Sequence, residues 1–174
     1  MFLFEFVETI REFLDTGGQV LVVIGALILV MWLLILERVM FIFGQHRLAV
    51  AHTVSRWHAR SDQASWHAEQ IRQAMISRIS LSLDSTLPII QALVALCPLL
   101  GLMGTVTGMI EVFDVMAISG SGNARSMASG VSKATIPTMA GMVGALSGVF
   151  AATWLTRKSK REKAKLEQQL ELAH

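Results

Sequence analysis

"VLVVIGALILVMWLLIL", residues 20–36, runs for seventeen residues without one charged or hydrogen-bonding aliphatic side chain. A helix crossing a hydrocarbon core about 30 Å thick needs about 20 residues at 1.5 Å each. The run is short if it stops at Glu37, but "ERVMFIF" resumes the apolar pattern past Glu37 and Arg38. The helix is therefore expected to continue, with that charged pair marking the bilayer edge. Two further windows have the same character, roughly residues 87–110 with room for extension and Ala134–Leu155. The chain of 174 residues is 53% hydrophobic and 16% charged, a balance unusual for a soluble domain. The fold class expected is an all-α membrane protein with three transmembrane helices.

Charge sets the expected orientation. Of the 15 Lys and Arg, six follow the first apolar run (Arg38, Arg47, Arg56, Arg60, Arg72, Arg78) and six crowd between Arg157 and Lys165. Only Arg11, Arg125 and Lys133 lie elsewhere. Basic residues collect on the cytoplasmic side, which places the N-terminus outside, residues 38–86 inside, the second connection outside and the C-terminus inside. Topology thus explains the net charge of +2 without a nucleic-acid partner. An acidic start (Glu5, Glu8, Glu12, Asp15) with no small-residue cleavage site argues against a removable leader.

Between the apolar runs the pattern changes. Leu3, Phe6, Ile10 and Phe13 share one helical face and Glu8, Arg11, Glu12 and Asp15 another, a pattern for an interfacial helix ended by Gly17 and Gly18. From residue 45 to 87 there is neither glycine nor proline, which predicts a helical hairpin turning near "RSDQAS", residues 60–65. The tail "RKSKREKAKLEQQLELAH" has no helix breaker and reads as a basic extension of the third membrane helix, able to meet anionic lipid. The organisation expected is an outer interfacial helix over 1–17, a first transmembrane helix over 18–43 and a cytoplasmic hairpin over 44–86. A second transmembrane helix over 87–116, an outer loop over 117–132, a third transmembrane helix over 133–156 and a cytoplasmic helical tail over 157–174 complete it.

No catalytic constellation or metal centre is expected. His46, His52, His58 and His67 recur at intervals of six and nine, which do not gather ligands on one helical face. Cys97 is alone in an apolar run. No nucleophile–base set or phosphate loop is visible, so the chain is not read as an enzyme and no cofactor is expected.

The informative residues lie inside the second and third membrane segments. "CPLLGLMGTVTGMIEVF", residues 97–113, carries Pro98, Gly101, Gly104 and Gly108; "IPTMAGMVGALSGVF", residues 136–150, carries Pro137, Gly141, Gly144 and Gly148. Small residues every three or four positions let helices approach closely in lipid, which points to tight packing and an oligomer. The hydroxyls of Thr105, Thr107, Thr135, Thr138 and Ser147 have two readings, back-bonding to their own helix or lining a polar path. Charge at the bilayer centre costs about 2.5–3.5 kcal/mol on insertion scales, so Glu111, Asp114 and Lys133 belong near an outer rim, facing water or a partner. At 1.5 Å per residue Glu111 lies roughly 9 Å above Thr105 and Lys133 roughly 7.5 Å above Thr138, which sets the threonines at similar depth. Lys133 is read either as paired with Glu111 or Asp114, within or between chains, or as snorkelling to the interface.

At these residues the chain resembles the MotA/TolQ/ExbB family of proton-channel and motor proteins, its ExbB branch most closely. "CPLLGLMGTVTGM" is similar to the family's Ala-Pro-aromatic-x-Gly-Leu-Leu-Gly-Thr-Val-x-Gly-Ile signature. "GVSKATIPTMAGMVGALSGVF" is similar to its Gly-Ile-x-Glu-Ala-Leu-x-x-Thr-Ala-x-Gly-Leu helix. The likeness is specific over about residues 90–155, while "LER" at the end of the first helix agrees in position and type only. It implies a homopentamer in the inner membrane of a Gram-negative bacterium, with a periplasmic N-terminus and three transmembrane helices prolonged into a cytoplasmic helical bundle. The second and third helices would line a pore around an ExbD-like partner whose aspartate carries the proton, beside Thr105 and Thr138. Output would pass to a TonB-like protein driving outer-membrane transport.

Two positions depart from that pattern. Lys133 stands where the family usually carries a glutamate, so a proton-ligand role for that acid does not transfer; Pro137 is not the residue expected at its place. The short hairpin points away from a MotA-like stator. A TolQ-like envelope-maintenance subunit and a passive scaffold without proton coupling are the alternatives.

Overall fold

A computed structural model describes residues 2–59, 65–119 and 124–170 of the chain, with side chains described outside 2–7, 9–17, 45–47, 119 and 124–126. Everything described is helix or a short joint between helices. Five helices follow one another: α1 Phe2–Phe43, α2 Gln45–His58, α3 Trp66–Asp84, α4 Leu87–Ser119 and α5 Ala124–Gln169. Three described stretches are long and apolar enough to cross a membrane, within residues 18–58, 66–118 and 127–169, which fits a multi-pass membrane protein.

The joints follow local chemistry. α1 is interrupted at Gly18, whose φ of 68° is a left-handed value that glycine adopts without steric penalty. It is one of the two glycines at which the sequence ends the first amphipathic segment. The apolar face expected of residues 2–15 lies outside the described side chains. At Gly44 the chain leaves α1 with φ −102° and ψ −84°, its N–H donating to Met40 O at 2.9 Å, and α2 begins. Ser65 caps α3 by accepting from Ala68 N–H at 3.2 Å, and Glu69 in the first turn complements the positive end of the helix. The turn placed at 60–65 falls on residues 60–64, outside the described residues. α4 starts two residues beyond α3, with Pro88 in its first turn, where a missing N–H removes no helical bond.

The second connection corrects a sequence expectation. A loop over 117–132 is expected, yet α4 continues to Ser119 and α5 begins at Ala124, so most of that stretch is helical. Glycine and serine at 119–122 signal a break, but Met127, Ala128 and Val131 on the far side carry an apolar pattern that sustains helix back to Ala124. At its other end α5 runs on to Gln169, as the breaker-free tail leads one to expect.

Residues 1–32 with 92–149 form one compact unit, and residues 33–91 with 150–174 another. In the first, α1, α4 and α5 meet along a seam of small residues. A side chain on Gly101 would stand 3.0 Å from Thr138 Cα, on Gly108 2.8 Å from Ala134 Cβ, and on Gly141 2.5 Å from Cys97 O. Gly104 faces the Pro137 ring, Gly144 faces Ile28 and Gly148 faces Met31 and Val94. These contacts run in opposite chain directions, so α4 and α5 are antiparallel neighbours with backbones too close for any larger residue. Ile24, Met31 and Cys97 are fully buried there, whereas Val22, Leu29, Leu102, Val106, Phe113, Met139 and Val143 stand exposed. Apolar residues that line the outside of a single chain match lipid or a neighbouring subunit as solvent.

The second unit packs the ends of α1, α4 and α5 with α2 and α3. Ile35, Ile42, Trp57, Leu83, Ile90, Leu155, Leu166 and Leu170 make its core. Polar groups stitch the elements together. Arg38 is buried and donates through Nη2 to Ser85 Oγ at 2.5 Å, and its guanidinium sits 5.1 Å from the Phe41 ring centre. One residue earlier, Asp84 accepts from buried Ser159 at 3.1 Å and forms an ion pair with Lys163. Arg72 binds Glu69 at 3.2 Å and donates to the Leu170 carbonyl at 3.3 Å, tying α3 to the end of α5.

Candidate functional site

Five hydroxyls in α4 and α5 were open between back-bonding and a shared path, and the structure divides them. Thr107 donates to Met103 O and Gly104 O at 3.1 Å, Thr135 to Ser132 O at 2.8 Å and Ser147 to Gly144 O at 2.8 Å, each within its own helix. Thr105 and Thr138 instead meet across the seam. Thr138 Oγ1 donates to Gly101 O at 2.8 Å, and the two threonine hydroxyls are hydrogen-bonded to each other.

Packing explains why these two meet. Gly101 and Gly104 bring α4 against Thr138 and Pro137 of α5, so hydroxyls on the same flank of both helices must touch. The direction of the bonds follows from counting protons. A threonine hydroxyl has one proton to give and two lone pairs to receive with. Thr138 gives its proton to Gly101 O, and Thr105 lies a long 3.4 Å from that same carbonyl. Thr105 therefore donates to Thr138 Oγ1, and its own lone pairs are left at the open end of the chain. Both threonines are partly buried, neither sealed in nor on the rim.

Such a pair has lone pairs that can accept a further hydrogen bond, and a threonine hydroxyl does not give up its proton at physiological pH. Pro137 and Pro98 adjust the surrounding backbone. Each lies inside a helix and lacks an N–H, which frees the carbonyl four residues earlier, at Lys133 and Val94. The Pro137 ring is also the surface against which Gly104 rests.

Glu111, Asp114 and Lys133 are exposed, and among the described residues no ion pair joins Lys133 to either acid. They do not stand with the threonines. At about 100° per residue, Glu111 is about 120° and Asp114 about 180° around α4 from Thr105, and Lys133 is about 140° around α5 from Thr138. Helical spacing sets this rotation as it sets their heights; the packed seam adds which flank of each helix faces the other.

Sequence reasoning also missed the polar cluster of the second unit. Arg38 and Ser85 are bonded across 47 residues and Asp84 and Lys163 across 79, and no local pattern marks such pairs. Two carboxylates in that unit titrate low. The Arg72 guanidinium, with Gln73, holds Glu69 below the usual glutamate range. At Glu162 partial burial pushes the other way, but hydrogen bonds from Lys165 and Lys158 outweigh it and hold the carboxyl low. His52, His58 and His67 are exposed.

The sequence profile of the MotA/TolQ/ExbB proton channel family matches residues 44–168. The biopolymer transport protein exbB1 of Vibrio cholerae is 39% identical over 88 residues, 50% of this chain and 39% of its own length. The biopolymer transport protein ExbB of Helicobacter pylori is 33% identical over 84 residues, 48% of this chain and 58% of its own. An ExbB-like biopolymer transport protein of Synechocystis is 46% identical over 61 residues, 33% of this chain and 24% of its own. The matches thus span between 24% and 58% of those relatives' lengths.

Proposed function

The chain belongs to the MotA/TolQ/ExbB proton channel family, and from that premise we propose that it is the ExbB-like subunit of an inner-membrane motor driven by the proton-motive force. Copies of the chain, five in the family pattern, surround the transmembrane helices of an ExbD-like partner, and the work is passed to a TonB-like protein that energises outer-membrane transport. The N-terminus is periplasmic and the helical extensions are cytoplasmic.

One observation carries the reading. Thr105 and Thr138 form a directed hydrogen-bond chain that ends on Gly101 O and leaves acceptor lone pairs at its open end. A protonated carboxylic acid on a partner helix needs such an acceptor inside a membrane, where an unpaired polar hydrogen is costly. Deprotonation removes the hydrogen bond, so the partner's helix is held and released as its acid loads and unloads. The acids Glu111 and Asp114 lie on other flanks of α4, which supports an acid supplied by the partner. The driving force is adequate, because one charge crossing 100 mV releases about 2.3 kcal/mol.

The test is partner dependence. The chain is purified alone and with an ExbD-like protein, placed in liposomes and followed with an internal pH dye under an imposed potential. Proton entry with both proteins and none with either alone is expected. Equal flux through the chain alone would overturn the proposal.

A further inference from the structure

The charges on the flank away from the threonines need an occupant. Glu111, Asp114 and Lys133 are exposed among residues that are themselves large, apolar and exposed: Ile110, Phe113 and Val131. The seam sets their heights. Gly108 meets Ala134 and Gly130 meets Val112, so Lys133 lies about 1.5 Å, Glu111 about 4.5 Å and Asp114 about 9 Å beyond the Gly108–Ala134 level, all on the same side of it. Helical side chains lean toward their own N-terminus. Because α4 and α5 are antiparallel, Asp114 leans down toward the level of Lys133 while Lys133 leans up toward that of Asp114.

Rotation decides which acid Lys133 meets. The α4 face that packs on α5 runs through Cys97, Gly101, Gly104, Gly108 and Val112. Asp114 is turned about 120° from the middle of that face and Glu111 about 60° in the same sense, at 100° per residue. Glu111 thus leans over its own α5, where it forms no ion pair with Lys133. Asp114 turns away from its own α5, toward whatever stands on the other side of α4.

We propose that Lys133 of one copy pairs with Asp114 of the next, fastening α5 of each chain to α4 of its neighbour on the flank opposite the threonines. This rests on the ring of copies proposed above. When α5 of one chain stands beside α4 of the next and the threonines face the lumen, Asp114 is turned back toward the Lys133 that precedes it. The surface carries its own complement, a base on α5 and an acid on the far side of α4, so a second copy of the same chain satisfies both. The lysine then belongs to assembly and stands apart from the proton path.

Disulfide trapping tests the pair. Lys133→Cys and Asp114→Cys are combined in a Cys97→Ala chain, co-expressed with the ExbD-like partner, and oxidised in native membranes; native mass of the purified complex is measured in parallel. A non-reducing ladder with rungs spaced by the 19.1 kDa chain mass supports the proposal. An oligomer by native mass with no ladder, or with a disulfide closed inside each chain, overturns the pair and leaves the ring standing. A monomer by native mass overturns the ring reading and the pair with it. Charge exchange gives a readout without cysteines: Lys133→Asp or Asp114→Lys alone lowers the oligomeric fraction, and the two together restore it. Failure of the double exchange to recover beyond the single variants contradicts the pairing.

Discussion

Thr138 of α5 donates its hydroxyl proton to the carbonyl of Gly101 on α4, 2.8 Å away. Because the donor is committed there, Thr105 must donate to Thr138, and the polarity of the pair is fixed by a backbone group that cannot titrate. The pair is thereby left with lone pairs to accept, which is the property the proposed function draws on.

The glycine seam predicts a graded response to added methyl groups. At Gly108 a new Cβ meets Ala134 Cα at 2.9 Å, a backbone atom of α5; at Gly144 it meets the Cδ1 end of Ile28, which can turn aside. Alanine regains up to about 1 kcal/mol of helix propensity over glycine, while overpacking costs about 1–3 kcal/mol. Gly144→Ala is expected to leave thermal stability in detergent near wild type, and Gly108→Ala to lower it by several degrees with loss of oligomer. Equal tolerance of both would contradict the packing described.

Asp84 is the acid at which α5 is held to the end of α3. Asp84→Ala leaves the buried Ser159 hydroxyl and the Lys163 ammonium without their partner, which costs about 1–3 kcal/mol. Arg38→Met behaves differently. Its buried Nε has no hydrogen-bond partner, and Ser85 keeps its bond to Ser82 O at 3.3 Å. Replacing such a charge with an apolar side chain of similar length is expected to change stability by less than about 1 kcal/mol. Denaturant melts of the detergent-solubilised protein, comparing the two variants, check the order.

Glu69 sets a pH signature on α3. Its folded pKa is depressed by the Arg72 and Gln73 hydrogen bonds, so the folded chain binds its proton less readily than the unfolded one. The contribution to stability is complete above the ordinary glutamate pKa and is lost as pH falls through the depressed value. In a carboxyl-labelled NMR titration Glu69 is expected to titrate below a typical glutamate, and Arg72→Met to move it back up. An unmoved titration in Arg72→Met would remove the ion pair as the cause.

Much of this was legible beforehand, for reasons that differ by element. The run at 20–36 announces a membrane helix because nothing else tolerates so long an apolar stretch. Thr105 and Thr138 are expected level because Glu111 and Lys133 belong near one rim and a helix rises by a known step per residue. What spacing along one helix cannot supply is rotation about a neighbour. Gly101, Gly104 and Gly108 against Thr138, Pro137 and Ala134 set which flank of α4 faces α5 and bring the two threonines together, and only the packed seam shows it. The Arg38–Ser85 and Asp84–Lys163 contacts were invisible for a related reason, since each joins segments with no periodic relation. The helical stretch over 124–132 was missed because glycine and serine nearby signal a turn more strongly than short apolar patterning signals a helix.

The most direct test of the account is proton flux through the reconstituted complex with the ExbD-like partner, comparing wild type, Thr105→Val/Thr138→Val and Thr105→Ser/Thr138→Ser at equal complex content. Valine keeps the shape and removes both hydroxyls, whereas serine keeps them. Flux lost in the valine pair, by about a hundredfold if the missing hydrogen bond adds about 2.7 kcal/mol to the barrier, and retained in the serine pair is the result predicted. Undiminished flux through the valine pair in an intact complex would contradict the claim that these hydroxyls receive the partner's acid.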